Sequence, residues 1–276
     1  MRGPKAGRGF LAVSYRSVGG VKLERVGAVA WITIDRPEVR NALNLAAMAD
    51  LDAALADVAD WDVHALFIRG EGDRAFVSGG DLKELETVRE EAFALDMARR
   101  MRATLDRIPA LRMPVVAIVN GHAIGGGAEV AIGCDYRIAA DDVRIGFTQA
   151  TIGLMPAWGG IERLVQAIGR GRALHLLTTG ATIDAAEAKL IGLFEEVVPR
   201  ADLLERVSAL ADQLAEVPRA ALAGMKRAAD AALPYARPEL AARATADFAR
   251  AWVDDDHWVA LERAQSRRKE VGGSGT

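Results

Sequence analysis

The chain has 276 residues, of which 51% are hydrophobic and 26% are charged, and its formal net charge at pH 7 is −3. This composition is typical of a globular protein with a sizeable core, and it excludes the strongly basic field that draws proteins to nucleic acid or anionic lipid. Polar residues interrupt the longest apolar run, 114–134, so it does not match a membrane-spanning helix. We therefore expect neither a nucleic-acid partner nor a membrane partner.

Strand-like and helix-like segments alternate along the first part of the chain. The predicted order is strand 29–35, helix 45–60, strand 65–69, helix 81–108 closed by Pro109, strand 115–119, helix 127–133 and strand 136–139. This order favours an α/β fold. From about residue 202 only helical patterns continue, interrupted by prolines. The sequence thus predicts an α/β core followed by a helical C-terminal region.

We divide the chain into a flexible tail at 1–20, a core at 21–201, a helical region at 202–270 and a flexible tail at 271–276. The first 23 residues carry five basic side chains and no acid, which slightly resembles a transit peptide. Glycines and a proline break any amphipathic helix there, so we favour the tail.

Cysteine and histidine usage points to no metal site. The single cysteine, Cys134, leaves no internal disulfide and fits the reducing cytoplasm. It lies in an apolar segment, where we favour a buried, unreactive thiol. No residues show the spacing of metal ligands.

Two glycine-containing turns carry the candidate chemistry. The first, within 75–85, has two adjacent glycines ending at Gly80, followed by Asp81 as a plausible helix start. The second, at 121–129, follows an apolar strand and has three consecutive glycines before Glu129. Glycines leave backbone N–H groups uncovered, and a helix N-terminus favours negative charge. Brought together, the turns could offer one N–H each to a single oxygen; taken alone, each also fits an ordinary tight loop.

Glu129 lies three residues beyond Gly126, on the same helical face and one turn further in. Exposed amides beside a carboxylate can hold a developing oxyanion and move a proton next to it. For His122, which precedes the glycines, we favour a packing or hydrogen-bonding role over proton transfer. A further segment, 145–160, mixes glycines with polar and aromatic residues and predicts a pocket wall.

Other enzyme classes fit less well. A strand followed by glycines and a helix also suggests a dinucleotide-binding oxidoreductase, but the spacing from Gly121 to Gly127 is not G-x-G-x-x-G. A serine hydrolase is disfavoured because Ser78 lacks an elbow motif and an obvious histidine partner.

Five segments resemble, in order and spacing, the enoyl-CoA hydratase/isomerase family, or crotonase superfamily. These segments are 34–37 with 40–44, 76–82, 114–135, 179–188 and 192–199. The resemblance implies a crotonase-like spiral of ββα units, with C-terminal helices used to form a homotrimer or a dimer of trimers. It also implies an acyl-CoA thioester substrate that carries its own coenzyme A, with no separate cofactor.

The resemblance also assigns site residues. Gly80 and Gly126 fall on the two oxyanion-hole positions, and Glu129 falls on the first acid/base glutamate. The second glutamate position is Gln149, whose amide can orient water or a carbonyl but cannot take a proton at neutral pH. The implied substrate-binding residues are Arg40, Ala42, Ser78, Asp81, Leu82, Gly125 and Trp158. For Arg40 an ordinary exposed arginine, and for Trp158 core packing, are open alternatives.

The leading hypothesis is therefore an acyl-CoA enzyme of the hydratase/isomerase kind, with Glu129 as acid/base and Gln149 placing water or substrate. Because Gln149 replaces the second carboxylate, decarboxylation of a malonyl-type acyl-CoA is an alternative that needs only an oxyanion hole and one proton donor. The 156–160 and 258–263 segments also resemble acyl-CoA decarboxylase members. A non-catalytic acyl-CoA binder is the third hypothesis.

Overall fold

Two β-sheets and the helices that follow their strands form the part of the chain that the structure describes. The computed structural model describes residues 13–15, 20–232 and 238–273. The strands are β1 (Val13–Tyr15), β2 (Val21–Val26), β3 (Val29–Ile34), β4 (Ala65–Gly70), β5 (Ala75–Val77), β6 (Val115–Val119), β7 (His122–Ile124), β8 (Tyr136–Ala140), β9 (Arg144–Gly146), β10 (Thr182–Asp184) and β11 (Glu196–Val198). The α-helices are α1 (Leu45–Val58), α2 (Leu82–Leu85), α3 (Glu91–Ala110), α4 (Gly126–Gly133), α5 (Gly160–Ile168), α6 (Arg170–Thr179), α7 (Ala185–Leu190), α8 (Leu203–Ala215), α9 (Arg219–Ala231), α10 (Pro238–Val253) and α11 (Asp255–Gly273).

The larger sheet supplies the apolar core. Its strand order is β1-β2-β3-β4-β6-β8-β11, antiparallel from β1 to β3 and parallel from β3 to β11. All five residues of β6, Val-Val-Ala-Ile-Val, are buried. A continuous apolar run is typical of a parallel strand that is covered on both faces, which explains why β6 was the clearest strand in the sequence.

The smaller sheet brings the glycine turns together. Its order is β10-β9-β7-β5, and each of its strands has three residues. In chain order, β4 and β5 precede α2 and α3, β6 and β7 precede α4, and β8 and β9 precede α5. Each unit gives one strand to each sheet and then a helix, which is the expected ββα spiral. Because β5 and β7 are parallel, the turns that follow them lie side by side at the carboxyl ends of these strands.

The predicted helix 81–108 is divided. α2 ends at Leu85 and α3 begins at Glu91. The connection between them is fixed from outside, because the indole Nε1 of Trp252 donates to the carbonyl of Val88 at 2.9 Å. At its other end, α3 continues through Pro109 to Ala110 instead of closing before the proline. A proline in the last turn removes only one donor near the helix end, so the turn tolerates it.

The structure describes short parts of the two predicted tails. Residues 13–15 form β1, which pairs with the edge of β2. Backbone hydrogen bonding to an otherwise open strand edge accounts for this strand. The remaining N-terminal positions, 1–12 and 16–19, lie outside the described residues, as do 274–276. α11 extends to Gly273, beyond the predicted limit of 270.

The C-terminal helices are attached to the core by polar as well as apolar contacts. The Nζ atom of the buried Lys226 on α9 donates to the carbonyls of Ile108, at 2.8 Å, and Met113, at 3.1 Å. It also forms an ion pair with Asp135 at 2.7 Å. In the described ranges, no helix has the length and apolar character needed to cross a membrane.

Candidate active site

The two glycine turns lie in contact at the carboxyl ends of β5 and β7. Val77 of β5 pairs with Ala123 of β7. Gly80 and Gly126 therefore each lie three residues beyond this pair. Gly79 has a φ of +102°, and a Cβ atom there would be 3.3 Å from the amide nitrogen of Gly126. The fold thus brings together two segments that the sequence could show only as separate turns.

The backbone around Gly80 leaves its N–H group uncommitted. Leu43 forms a parallel bridge with this turn: its N–H donates to the Gly79 carbonyl at 2.8 Å, and its carbonyl accepts from the Asp81 N–H at 2.9 Å. Because neighbouring residues in such a bridge point to opposite sides, the N–H of Gly80 faces away from Leu43. Gly126 is the first residue of α4, where N–H groups lack an intrahelical acceptor. Among the described residues, nothing accepts a hydrogen bond from either N–H.

The start of α4 is packed too closely for side chains. A Cβ atom on Gly126 would lie 2.3 Å from the indole ring of Trp158, and one on Gly127 would lie 1.8 Å from the carbonyl oxygen of Val77. Glycine is therefore required for the helix to approach β5 and for Trp158 to cover Gly126. The predicted role of Trp158 as a wall is consistent with this position; the ring is also buried, so it packs in the core as well.

Glu129 is buried in the first turn of α4 and receives three hydrogen bonds. Its Oε2 atom accepts from the N–H groups of Trp158 at 2.7 Å and Gly160 at 2.9 Å. Its Oε1 atom accepts from the amide Nε2 of Gln149 at 2.9 Å. Burial raises the pKa of Glu129 to about 7, while the two N–H donors and the charge of Arg163 act to lower it. A carboxyl group with this pKa can both give and take a proton near neutral pH.

Gln149 presents one amide atom to Glu129 and keeps the other free. It lies on a 3₁₀ turn, Thr148–Ile152, that follows β9. Its Oε1 atom is buried and has no hydrogen-bond partner within the described part of the chain. The turn is supported by His257 of α11, whose Nδ1 atom hydrogen-bonds the carbonyl of Ile152. Burial lowers the pKa of His257, which favours its neutral form. No pattern in the sequence indicates this supporting role.

Two of the predicted substrate-binding residues, Ala42 and Asp81, contact Arg36, and a third, Ser78, lies in the same region. The Arg36 guanidinium forms an ion pair with Asp81 at 3.1 Å and donates to the carbonyl of the buried Ala42. The Ser78 hydroxyl donates to the carbonyl of Val39 at 3.4 Å. The structure therefore brings Ala42, Ser78 and Asp81 together beside the first glycine turn. Coenzyme A binding by these residues stays a prediction.

The other predicted binding residues differ in their exposure. Arg40 is exposed, and its φ of +57° places its backbone in the left-handed region. Leu82 is half-buried against the core. Gly125 has a φ of +58°, and its N–H donates to the carbonyl of Gly146 at 2.8 Å, which fixes the turn before α4. Gly125 therefore has a structural role whether or not it contacts substrate.

The sequence predicted 145–160 as a pocket wall, but it did not indicate that residues 158–160 hold Glu129. Residues 158–160 supply two N–H donors to the carboxylate, and Gly159 has a φ of +92° that favours glycine. Behind this loop, Arg163 donates from Nη1 to the carbonyl of Trp158 at 3.1 Å. The signal that could have indicated the loop is the pair of glycines, Gly159 and Gly160, at which α5 begins.

The other candidate groups, and a cleft near the end of α4, lie outside the site formed by the glycine turns, Glu129 and Gln149. His122 is exposed, and its Nδ1 atom accepts a hydrogen bond from the Arg144 N–H at 3.1 Å, so it faces away from Glu129. Cys134 is buried, and burial raises its thiol pKa to about 12. In the described ranges, no three His, Cys, Asp or Glu side chains cluster as metal ligands do. A cleft of about 610 Å³ between the end of α4 and α9 includes neither glycine turn.

Comparisons with known proteins agree with this architecture. A family profile described as Enoyl-CoA hydratase/isomerase matches residues 24–257, which include both glycine turns, Glu129 and Gln149. A Mycobacterium bovis protein named Probable enoyl-CoA hydratase echA8 is 38% identical over 214 residues, or 77% of this chain and 81% of that protein. The Short-chain-enoyl-CoA hydratase of Clostridium acetobutylicum is 36% identical over 201 residues, or 71% of this chain and 76% of that protein. The solved structure of an enoyl-CoA hydratase from Bacillus anthracis has a TM-score of 0.74 at 30% identity and covers 90% of this chain and 96% of that one.

Proposed function

The chain belongs to the enoyl-CoA hydratase/isomerase family of acyl-CoA-transforming enzymes, and from this premise we propose that it hydrates an enoyl-CoA thioester through Glu129 and a two-amide oxyanion hole. The observation that carries the proposal is a buried, titratable carboxyl in the first turn of α4, the same turn that begins at Gly126, where two glycine turns with uncommitted N–H groups are in contact. The hole would consist of the N–H groups of Gly80 and Gly126. Such donors act on charge that develops at the thioester oxygen in the transition state.

In the proposed reaction, ionised Glu129 takes a proton from water as the water oxygen attacks the β-carbon of the enoyl group. The electron pair of the double bond moves toward the thioester, giving an enolate whose oxygen accepts hydrogen bonds from Gly80 and Gly126. Protonated Glu129 then delivers its proton to the α-carbon, so that one water molecule is added overall. The pKa of Glu129, about 7, supports both steps.

The proposed role of Gln149 is to orient Glu129 and the attacking water, and not to exchange protons. Its Nε2 atom holds Oε1 of Glu129, and its Oε1 atom is a buried acceptor without a partner in the described residues. This acceptor is suited to hold a hydrogen of the attacking water. A neutral amide in this place leaves Glu129 as the single acid/base group of the proposed mechanism.

The neutral amide of Gln149, in place of a second carboxylate, favours one second candidate, decarboxylation of a malonyl-type acyl-CoA. Loss of carbon dioxide leaves an enolate, which needs the oxyanion hole and one proton donor but no water-activating pair. Glu129 is partly protonated near neutral pH and could supply that proton. Neither reaction requires a metal or a cofactor besides the coenzyme A of the substrate. We expect the protein to act in the cytoplasm as a homotrimer or a dimer of trimers.

Turnover of two substrates distinguishes the candidates. We expect purified protein to hydrate crotonyl-CoA, and release of carbon dioxide from a malonyl-type acyl-CoA instead would identify the decarboxylase. The substitution Glu129→Gln should lower either rate by about 10²–10⁴-fold, because it removes the acid/base group. Glu187→Gln, at an exposed position of α7, is the matched control and should retain wild-type activity. Undiminished turnover by Glu129→Gln would refute the assigned role, and calorimetric binding of acyl-CoA without turnover would support a non-catalytic binder.

A further inference from the structure

The loop 158–160 separates Glu129 from a guanidinium group on its other side. The main chain of Trp158 is held at both ends: its N–H donates to Glu129 Oε2 at 2.7 Å, and its carbonyl accepts from Arg163 Nη1 at 3.1 Å. A Cβ atom on Gly160 would lie 2.8 Å from Glu129 Oε2, and one on Gly159 would lie 2.2 Å from Arg163 Nη1. The loop is therefore one peptide layer thick, with a carboxyl on one face and a cation on the other.

Arg163 is itself fixed in place by α3. Its Nη2 atom forms an ion pair with Asp106 at 2.6 Å, and the other oxygen of Asp106 lies 3.5 Å from Nε of Arg102. Arg102 in turn pairs with Glu162 at 2.9 Å. The side chains of Arg163 and Arg102 are only 16% and 13% exposed. A guanidinium held by two partners in this way cannot leave Trp158 without breaking an ion pair that joins α3 to α5.

We propose that Arg163 is a positioning residue of the acid/base site: it holds the Trp158 carbonyl so that the N–H groups of Trp158 and Gly160 stay directed at Glu129. The inference rests on the proposed function of Glu129 and adds a residue that does not touch the reacting atoms. Since the ring of Trp158 also covers Gly126, the same hold fixes the wall beside one oxyanion-hole amide.

Loss of Arg163 should raise the pKa of Glu129 for two reasons. The positive charge of Arg163 lowers this pKa directly, and the N–H donors that it holds in place lower it as well. The other charged groups on elements packed against α4 fall into three sets. Glu162 on α5 and Arg102 and Asp106 on α3 form the ion-pair network behind the loop. His122 on β7 is exposed, and Arg137 on β8 donates to the carbonyl of Cys134 at the far end of α4. The remaining charged residues of α3 are exposed: Glu91, Asp96, Arg99, Arg100 and Arg107.

The test compares Arg163→Gln and Arg163→Lys with the control Arg107→Gln. Arg107 is an ion-paired arginine on α3, the helix that carries Asp106, and it bonds Asp52 instead of the loop. The protonation of Glu129 is followed without substrate by the infrared carboxyl band that Glu129→Gln removes. For Arg163→Gln we expect the midpoint to rise by about one pH unit, with a smaller rise for Arg163→Lys, which keeps the charge but loses the fork. Arg107→Gln should leave the midpoint unchanged.

Kinetics give the second readout. In Arg163→Gln, kcat at pH 7 should fall about fivefold and recover as the pH is raised, while KM changes little, because Glu129 would need a higher pH to ionise. A lower Tm with an unchanged Glu129 midpoint and an unchanged pH profile would overturn the proposal and leave Arg163 a purely structural residue. If the wild-type protein turns over no acyl-CoA, the proposed function fails, whereas the infrared titration still decides whether Arg163 positions Glu129.

Discussion

The groups around Glu129 determine its pKa, and its burial makes the ionised carboxylate unfavourable. Its carboxyl is removed from water by α4, yet three donors are directed at it. Burial is the larger influence and raises its pKa from 4.5 to about 7. The donors prevent a still larger rise. This balance gives a proton-exchanging group near neutral pH without a second carboxylate.

The raised pKa predicts a pH dependence of stability. The folded state keeps the Glu129 proton up to about pH 7 while the unfolded chain releases it near pH 4.5, so folded protein binds more protons in this window. The stabilisation is therefore complete below pH 4.5 and is lost as the pH rises through about 7. Relative to Glu129→Gln, the wild-type free energy of unfolding should fall by about 3 kcal/mol across the window and stay level above it.

Urea unfolding of both proteins at pH 5, 6, 7 and 8 and at one protein concentration measures this difference, since the other carboxyl groups titrate equally in both. A difference between the two proteins that does not change with pH would show that the Glu129 pKa is close to its ordinary value.

At the scale of elements, the site depends on how closely α4 approaches its neighbours. The substitution Gly126→Ala keeps the backbone N–H but adds a Cβ atom 2.3 Å from the ring of Trp158. We expect it to lower activity by about 10²–10³-fold through displaced geometry, a loss comparable to removing one oxyanion-hole donor. Adding Trp158→Leu should restore part of the activity because it makes room for the methyl group. Gly133→Ala, whose Cβ atom would have neighbours no nearer than 3.6 Å, is the control on the same helix.

The measurement is the rate of each variant with the acyl-CoA, crotonyl-CoA or malonyl-type, that the wild-type protein turns over. Full activity in Gly126→Ala would show that the start of α4 can shift without harm to the reaction. Equal losses in Gly126→Ala and in Gly133→Ala would assign the damage to general destabilisation of the helix.

The helices and strands could be predicted from the sequence more readily than the contacts between them. β6 and α1 could be predicted because a continuous apolar run and a helical pattern extend over enough residues to define a period. β5, β7 and β9 could not, because three residues show no period and their pairing partners lie far along the chain. The family resemblance indicated Glu129 and Gln149. The cradle of N–H groups and Arg163 depends on the packing of α5 against α4, which no local pattern records.

At the scale of the whole molecule, the C-terminal helices are joined to the core through Lys226. Its ammonium group connects α9 with two carbonyls near the end of α3 and with Asp135. Lys226 is buried and the side chain of Asp135 is 23% exposed, and burial raises the pKa of Asp135 against the opposing effect of Lys226. An ion pair in such a place is sensitive to the loss of one partner.

The substitution Lys226→Met should therefore lower the free energy of unfolding by about 3–5 kcal/mol, because it leaves Asp135 and two carbonyls without their donor. Lys189→Met, at an exposed position on α7, is the control and should change stability by less than about 0.5 kcal/mol. Chemical denaturation of both variants gives the comparison. A small change in Lys226→Met would mean that the apolar packing of α9 alone attaches this region.

The central claim is that the amides of Gly80 and Gly126 act together on one thioester oxygen. The most direct measurement is the infrared stretching frequency of the thioester carbonyl, labelled with ¹³C, in a bound acyl-CoA that cannot react. Two hydrogen bonds to this oxygen should lower the frequency relative to the same thioester in water, and Gly126→Ala should reverse most of the shift. A frequency equal to that in water, with the ligand demonstrably bound, would contradict the account.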